Sequence, residues 1–288
     1  MGNIHTDHAQ RVNIGLRPDQ STTHRAPSSL MPSSYHTLMA IWSCAIMVLT
    51  AIILFKRVAR GQRLHDIPVG PRSSFVSKSL AWKLMTLPSV PSILGFYALA
   101  GGFTTHALSS PQTVFVGLYC LHYLYRSVVY PRRIRTSEQQ YSLVLVLLTW
   151  SYYIPMGYFL GTHLAVHDPV IETLYHPTVL LGLIVFVLGL VSTIAHDEIL
   201  IRLRSKPSKE YAIPMRGLFR YTSNAHYFSE FIEWTGFALM VMTLPAVLHL
   251  MAVFILMLPQ ALKTHSWYHR HFGAGYPGNR TAFFPFLF

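Results

Sequence analysis

The sequence predicts an all-α polytopic membrane protein, a bundle of about seven transmembrane helices. Three observations carry this. Only 12% of residues are charged and 51% are hydrophobic, whereas a soluble domain has about 25% charged residues. Seven apolar stretches recur, at 38–55, 88–108, 112–130, 141–162, 178–196, 228–245 and 246–262, and a span needs about 20 such residues. Basic residues alternate between connections. Of 23 Lys and Arg, seven lie from Lys56 to Lys83, four from Arg126 to Arg135, six from Arg202 to Arg220, and three from Lys263 onward. The connection 163–177 has none and carries Asp168 and Glu172. This positive-inside pattern puts the C-terminus in the cytosol. It also explains the net charge of +12 as topology, which argues against nucleic-acid binding.

Taken in chain order, residues 1–36 are polar, rich in His, Ser, Thr and Pro, and predict a disordered segment without a signal-peptide core. The start Met1-Gly2-Asn3-Ile4-His5-Thr6 fits a myristoylation pattern, but a lumenal N-terminus would not meet the cytosolic transferase. Residues 37–288 form one integral domain without repeats. The first, fourth and fifth stretches are clear spans. The second is broken by Pro88, Pro91 and two glycines, and the last two share a run split near Pro245. The connection 56–83 is long and basic. The connection 197–227 reads as a helix end followed by an ordered loop. Cys44 and Cys120 fall inside spans and read as small apolar fillers.

Ionisable groups inside spans are costly and mark candidate sites. Four clusters qualify. His122, Tyr123 and Arg126 share a face of the third span. The bland alternative is an interfacial Arg126 with Tyr123 in an aromatic belt. Asp197 stands with Arg202 and Arg204 at the end of the fifth span, where a solvated helix end is the alternative. Glu230 and Glu233 open the sixth span, where a helix N-terminus favours them and Arg216, Arg220 or Arg280 would be the partner. His265, Tyr268, His269, Arg270 and His271 follow the seventh span. No zinc-type ligand pattern is present, and no metal is expected. Gly-x-Gly-x-x-Gly, Walker and Gly-x-Ser-x-Gly motifs are absent, so a soluble Rossmann domain is excluded.

The C-terminal region is the most specific. It reads Gly217-Leu218-Phe219-x-Tyr221-x-Ser223, then Tyr227-Phe228-x-Glu230-x-x-Glu233-Trp234-x-Gly236. It closes on His265-x-Trp267-Tyr268-x-x-x-Phe272, Tyr276-Pro277-x-x-Arg280 and Pro285-Phe286. From about Leu80 onward the chain resembles the steroid 5α-reductase family, membrane enzymes that use NADPH to reduce a carbon–carbon double bond conjugated to a carbonyl. Leu121-His122-Tyr123-x-x-Arg126-x-x-Val129-Tyr130 is similar to that family's third-span motif. The resemblance implies that Tyr123 hydrogen-bonds the enone carbonyl. It also implies that Arg126, Tyr130, Asp197, Arg204, Tyr211, Glu230 and Tyr268 hold NADPH or brace its pocket.

The chain departs from that pattern. Trp82-x-x-Met85-Thr86-Leu87-Pro88-Ser89 has Met85-Thr86 where the family has Gln-Glu. Thr86 cannot replace that glutamate as an acid. Thr193 and His226 stand where the family has asparagines, and Gln260 and Thr264 where it has Arg and His. Three functions remain open. One is an NADPH-dependent reductase of a hydrophobic enone, steroid or terpenoid, in the endoplasmic reticulum membrane. A second is a non-redox isomerase or cyclase of secondary metabolism on the same scaffold, moving protons with Tyr123, His122, His226 or Glu230. The third is a non-catalytic membrane partner. The expected partners are the bilayer and a hydrophobic small molecule. The charge pattern makes a testable statement about topology. A glycosylation acceptor placed in 164–176 should be modified in microsomes, while a tag after Phe288 should stay open to protease. An unmodified acceptor with a protected tag inverts the orientation.

Overall fold

The computed structural model describes residues 75–134, 140–166, 173–205 and 211–287, with scattered residues between 37 and 52. The N-terminal segment, most of the first apolar stretch and of the basic connection after it, and Asp168 and Glu172 lie outside the described residues. The described residues of the first stretch are helical and exposed.

The helices are α1 (Lys78–Thr86), α2 (Ser89–Leu99), α3 (Gly102–Thr105), α4 (Pro111–Leu124), α5 (Tyr130–Arg133), α6 (Leu143–Val166), α7 (Pro177–Ser205), α8 (Ala225–Val241) and α9 (Leu244–Phe272). A π-helical turn, Tyr125–Val129, joins α4 to α5 without a break. The all-α expectation misses one feature. Strand β1 (Phe75–Ser77) pairs antiparallel with β2 (Gln140–Ser142), with Val76 opposite Tyr141. Among the described helices, α7 and α9 are long and apolar enough to cross a membrane.

Local chemistry sets the boundaries. Ser77 and Ser110 cap α1 and α4 by accepting from the N–H of Leu80 and Thr113, and Pro111 occupies the first turn of α4. The second apolar stretch divides for a reason other than its prolines. Pro88 caps α2 and Pro91 lies in its first turn, where a missing N–H removes no hydrogen bond. Gly101 makes the break, at φ +82° between α2 and α3. The boundary between the sixth and seventh stretches falls at Met242, which takes the left-handed conformation at φ 49°. Helix α9 then runs through Pro259 to Phe272, so His265–His271 belong to its last turns instead of following it.

One core joins the long elements: Ile93 and Tyr97 from α2, Phe115 and Tyr119 from α4, Leu160 from α6, Phe186 from α7, Trp234 and Phe237 from α8, and Val253 from α9. Leu181, Ile184, Leu188 and Val191 line the outward side of α7 and stay exposed, the surface a lipid-facing helix presents. Helices α7 and α8 touch backbone to backbone. A Cβ at Gly236 would collide with the main chain of Phe186, and one at Gly189 with the main chain of Glu233. Small residues permit that approach, and it fixes the height of Glu233. Gly189→Ala should therefore destabilise the protein by about 1–3 kcal/mol, read as detergent unfolding. Gly95→Ala, where a Cβ meets nothing within 4 Å, should cause no loss.

Candidate functional site

The π-helical turn is the local event that builds the site. Its extra residue rotates the following side chains, a device frequent at functional positions. Arg126 lies in this turn and is buried. Its Nη1 donates to Asp197 Oδ2 of α7 at 2.9 Å, and its Nη2 pairs with Glu230 Oε2 of α8. Tyr125 donates to the same Asp197 oxygen at 3.3 Å. One turn earlier, His122 Nδ1 meets Glu233 Oε1 at 2.7 Å and its Nε2 faces Glu230 at 3.5 Å. One guanidinium and one imidazole of the same helix thus engage three carboxyls of two others, out of water.

These contacts correct several expectations. Arg126 is not an interfacial snorkel, and Tyr123 is not in an exposed belt; both are buried. Asp197 is no solvated helix end, because α7 continues to Ser205 and Asp197 is 1% exposed. Glu230 and Glu233 lie beyond the first turn of α8, which starts at Ala225, so capping does not explain them. Their partners are Arg126 and His122, not Arg216, Arg220 or Arg280. Arg280 instead lies over the Tyr276 ring at 5.3 Å and donates to the Met215 sulfur.

Tyr123 sits beside this charged cluster in a cage of rings. Tyr119 is 4.6 Å away between centroids, His122 4.8 Å, Tyr153 5.3 Å and Trp234 5.6 Å. Its hydroxyl contacts His249 Nε2 at 3.2 Å, and Tyr152 contacts His249 Nδ1 at 2.7 Å. Neither His249 nor Tyr152 is among the sequence candidates. The available signal was a single histidine in the apolar run Ala246-Val247-Leu248-His249-Leu250-Met251. Thr86 ends α1, buried, with its hydroxyl donating to its own helix at Trp82 O, 2.9 Å.

The basic end of the bundle carries the remaining candidates. Arg204 donates to the Tyr211 hydroxyl at 2.9 Å and lies 5.7 Å from that ring's centroid. Tyr211 packs on Trp267 at 4.7 Å and Tyr268 at 6.1 Å. Tyr130 is 5.3 Å under the Arg126 guanidinium and meets Trp82 edge-on. Burial, with the Arg204 charge, holds the Lys78 ammonium down at about 8. Neither Lys78 nor Arg204 belongs to an ion pair found among the described residues. His226 is half-buried against Tyr227 at 4.0 Å and does not join the Tyr123 cage. Its Nδ1, the Thr193 hydroxyl and Asp197 Oδ1 have no hydrogen-bond partner among the described residues. Gln260 and Thr264 are half-buried, one turn apart on α9.

The C-terminal motif closes this end. Gly217, at φ +59°, lies where a Cβ would crowd His196 Nε2, the acceptor for Leu218 N–H. His196 Nδ1 is left to donate to Ser229 of α8 at 3.0 Å. The Ser223 hydroxyl meets His265 Nδ1 at 2.6 Å and the Tyr276 hydroxyl at 2.7 Å. Asn224 donates to Ala261 O and Ala282 O. Tyr276 stacks on Tyr268 at 5.1 Å.

Comparison with known proteins identifies the family. The family described as 3-oxo-5-alpha-steroid 4-dehydrogenase matches residues 139–288. The human 3-oxo-5-alpha-steroid 4-dehydrogenase 2 is 31% identical over 250 residues, covering 85% of this chain and 95% of the relative. The rat 3-oxo-5-alpha-steroid 4-dehydrogenase 1 is 33% identical, covering 72% and 79%. The tomato steroid 5-alpha-reductase DET2 is 28% identical, covering 74% and 82%.

Arg126 should be the costliest cation to remove. Arg126→Leu leaves two buried carboxyls without their guanidinium and should lose about 3–5 kcal/mol. Arg204→Leu, at an exposed position, should change stability by no more than about 0.5 kcal/mol. Unfolding of the two variants side by side in detergent measures the difference.

Proposed function

Because the chain belongs to the 3-oxo-5α-steroid 4-dehydrogenase family, a family of oxidoreductases, we propose that it reduces a conjugated carbon–carbon double bond in a hydrophobic enone, with NADPH as reductant. The observation that carries this reading is the Tyr123 hydroxyl, buried in a cage of aromatic rings beside a fixed cluster of charges. A phenol there donates to the enone oxygen. As electron density builds on that oxygen in the transition state, the hydrogen bond strengthens, and a preorganised donor of this kind is worth about 10²–10³ in rate. Low dielectric around the rings enlarges the effect.

The residue set suits the cofactor. Lys78 and Arg204 offer positive charge for phosphates, and Tyr211, Trp267 and Tyr268 offer flat faces beside it. The Thr193 hydroxyl, Asp197 Oδ1 and His226 Nδ1 are buried polar atoms without partners among the described residues, and a polar ligand would relieve their desolvation cost of about 1–3 kcal/mol each. Arg126 is engaged by Asp197 and Glu230, so its part is to brace the pocket instead of binding phosphate. NADPH, when bound, supplies the hydride. In this reading the protein is integral to the endoplasmic reticulum membrane, with its basic end toward the cytosol, and the substrate is a steroid, terpenoid or related natural product.

One observation favours a second reading. The Thr86 hydroxyl is turned to its own helix and brings no acid to the site, whereas the rings of Tyr119, Tyr153 and Trp234 around Tyr123 suit a positively charged intermediate. That is the setting for a non-redox isomerisation or cyclisation started by proton transfer from Tyr123.

Isotope transfer separates the two. With progesterone as a 3-oxo-4-ene probe and deuterated NADPH, reduction predicts a product two hydrogens heavier, with deuterium on carbon, and strict dependence on the cofactor. Product of unchanged mass formed without NADPH overturns the reductase reading. In either chemistry Tyr123→Phe should lower turnover by about 10²–10³ at normal expression, and unchanged turnover removes Tyr123 from the mechanism.

A further inference from the structure

Tyr123 lacks the acid neighbour expected on α1, yet its hydroxyl is not alone. His249 of α9 is 0% exposed and is held on both ring nitrogens, by Tyr152 at Nδ1, 2.7 Å, and by Tyr123 at Nε2, 3.2 Å. The imidazole lies nearly parallel to the Tyr152 ring, 18° at 6.1 Å, and edge-on to Trp234 at 4.3 Å. A side chain fixed at both nitrogens and packed between aromatic planes has one orientation. Its hydrogen-bond partners are two neutral phenols, so it carries a single N–H that belongs to one nitrogen or the other.

We propose that His249 is a positioning residue that takes over the orienting task Thr86 cannot perform, with Tyr152 fixing its tautomer. Tyr152 donates its O–H to Nδ1. The ring proton is then on Nε2, and Nε2–H donates to the Tyr123 oxygen. That oxygen has its acceptor side satisfied, so the Tyr123 O–H is left to point at substrate oxygen. The opposite tautomer would make Nε2 an acceptor and consume the one proton the reaction needs. Bonds aligned head to tail in this way polarise one another, so the Tyr152–His249–Tyr123 chain orients the donor and strengthens it. This inference rests on Tyr123 being the donor. It holds for a redox or a non-redox reaction, since both use that proton.

The test reads the tautomer directly. The full chain is purified in detergent with ¹⁵N-labelled histidine, and the His249 resonances are identified by their loss in His249→Gln. The expected result is an Nε2–H imidazole whose Nε2 signal moves in Tyr123→Phe and whose tautomer becomes mixed in Tyr152→Phe. An Nδ1–H imidazole in the unaltered protein, or an Nε2 signal indifferent to Tyr123→Phe, overturns the proposal. If Tyr123→Phe does not fold, 3-fluorotyrosine at position 123 keeps the ring and strengthens the phenol as an acid. The Nε2 signal must then shift for the proposal to stand. Rescue gives a second readout with progesterone and NADPH. His249→Gln keeps an N–H donor and should retain turnover within about tenfold, whereas His249→Leu should lose about 10² in kcat with little change in KM. Equal loss in both variants counts against an orienting role. Because the tautomer is read without substrate, absence of progesterone reduction alongside an intact Nε2–H signature counts against the reductase reading and leaves this one standing.

Discussion

The structure depends on one buried guanidinium. Arg126 holds Asp197 of α7 and Glu230 of α8 at once, and so fixes three helices at a single height. His122 repeats the tie one turn away through Glu233. Charges this far from water persist only where each finds a partner, so helix positions are coupled: a shift in any one of the three leaves a carboxyl unpaired. Arg126 lies in the π-helical turn Tyr125–Val129, and the glycines of α7 and α8 let the two acidic helices come close enough to share its guanidinium.

The aromatic cage stands on that frame. Trp234 follows Glu233 directly on α8, and Tyr123 follows His122 on α4, so the ionic ties that set α8 against α4 also set the ring contacts around the Tyr123 hydroxyl. A rigid frame matters for a hydrogen-bond donor, whose advantage over water is that it need not reorganise. Toward the basic end the arrangement changes character. Among the described residues, Arg204 and Lys78 are not paired with carboxylates. The ionic half of the site holds its charges against one another, and the free positive charge gathers at the other end.

In the proposed reading, the support for the Tyr123 donor comes from α9 and not from α1. Thr86 gives its hydroxyl to Trp82 O, as a threonine in a helix does when no other acceptor is offered. His249 reaches the Tyr123 hydroxyl from another helix.

What the sequence determined by itself was the class of molecule and the identity of the chemical groups. Long apolar stretches can be stable only as helices, because backbone polar groups in lipid must be satisfied within the segment. The spacing of His122, Tyr123 and Arg126 places them on one helix regardless of context. The motifs from Gly217 onward were legible because several of them serve local geometry, such as the positive φ of Gly217. Tertiary structure alone decided which charges meet. Nothing in local spacing links Arg126 to Asp197, 71 positions away, or Tyr123 to His249, 126 positions away. An i, i+3 pair such as Glu230 and Glu233 looks like helix capping until the first residue of the helix is known. Burial sets the difference. On an exposed surface these groups would be solvated and their partners optional, whereas inside the bundle each must find a partner, and only the packing of α4, α7, α8 and α9 decides which one.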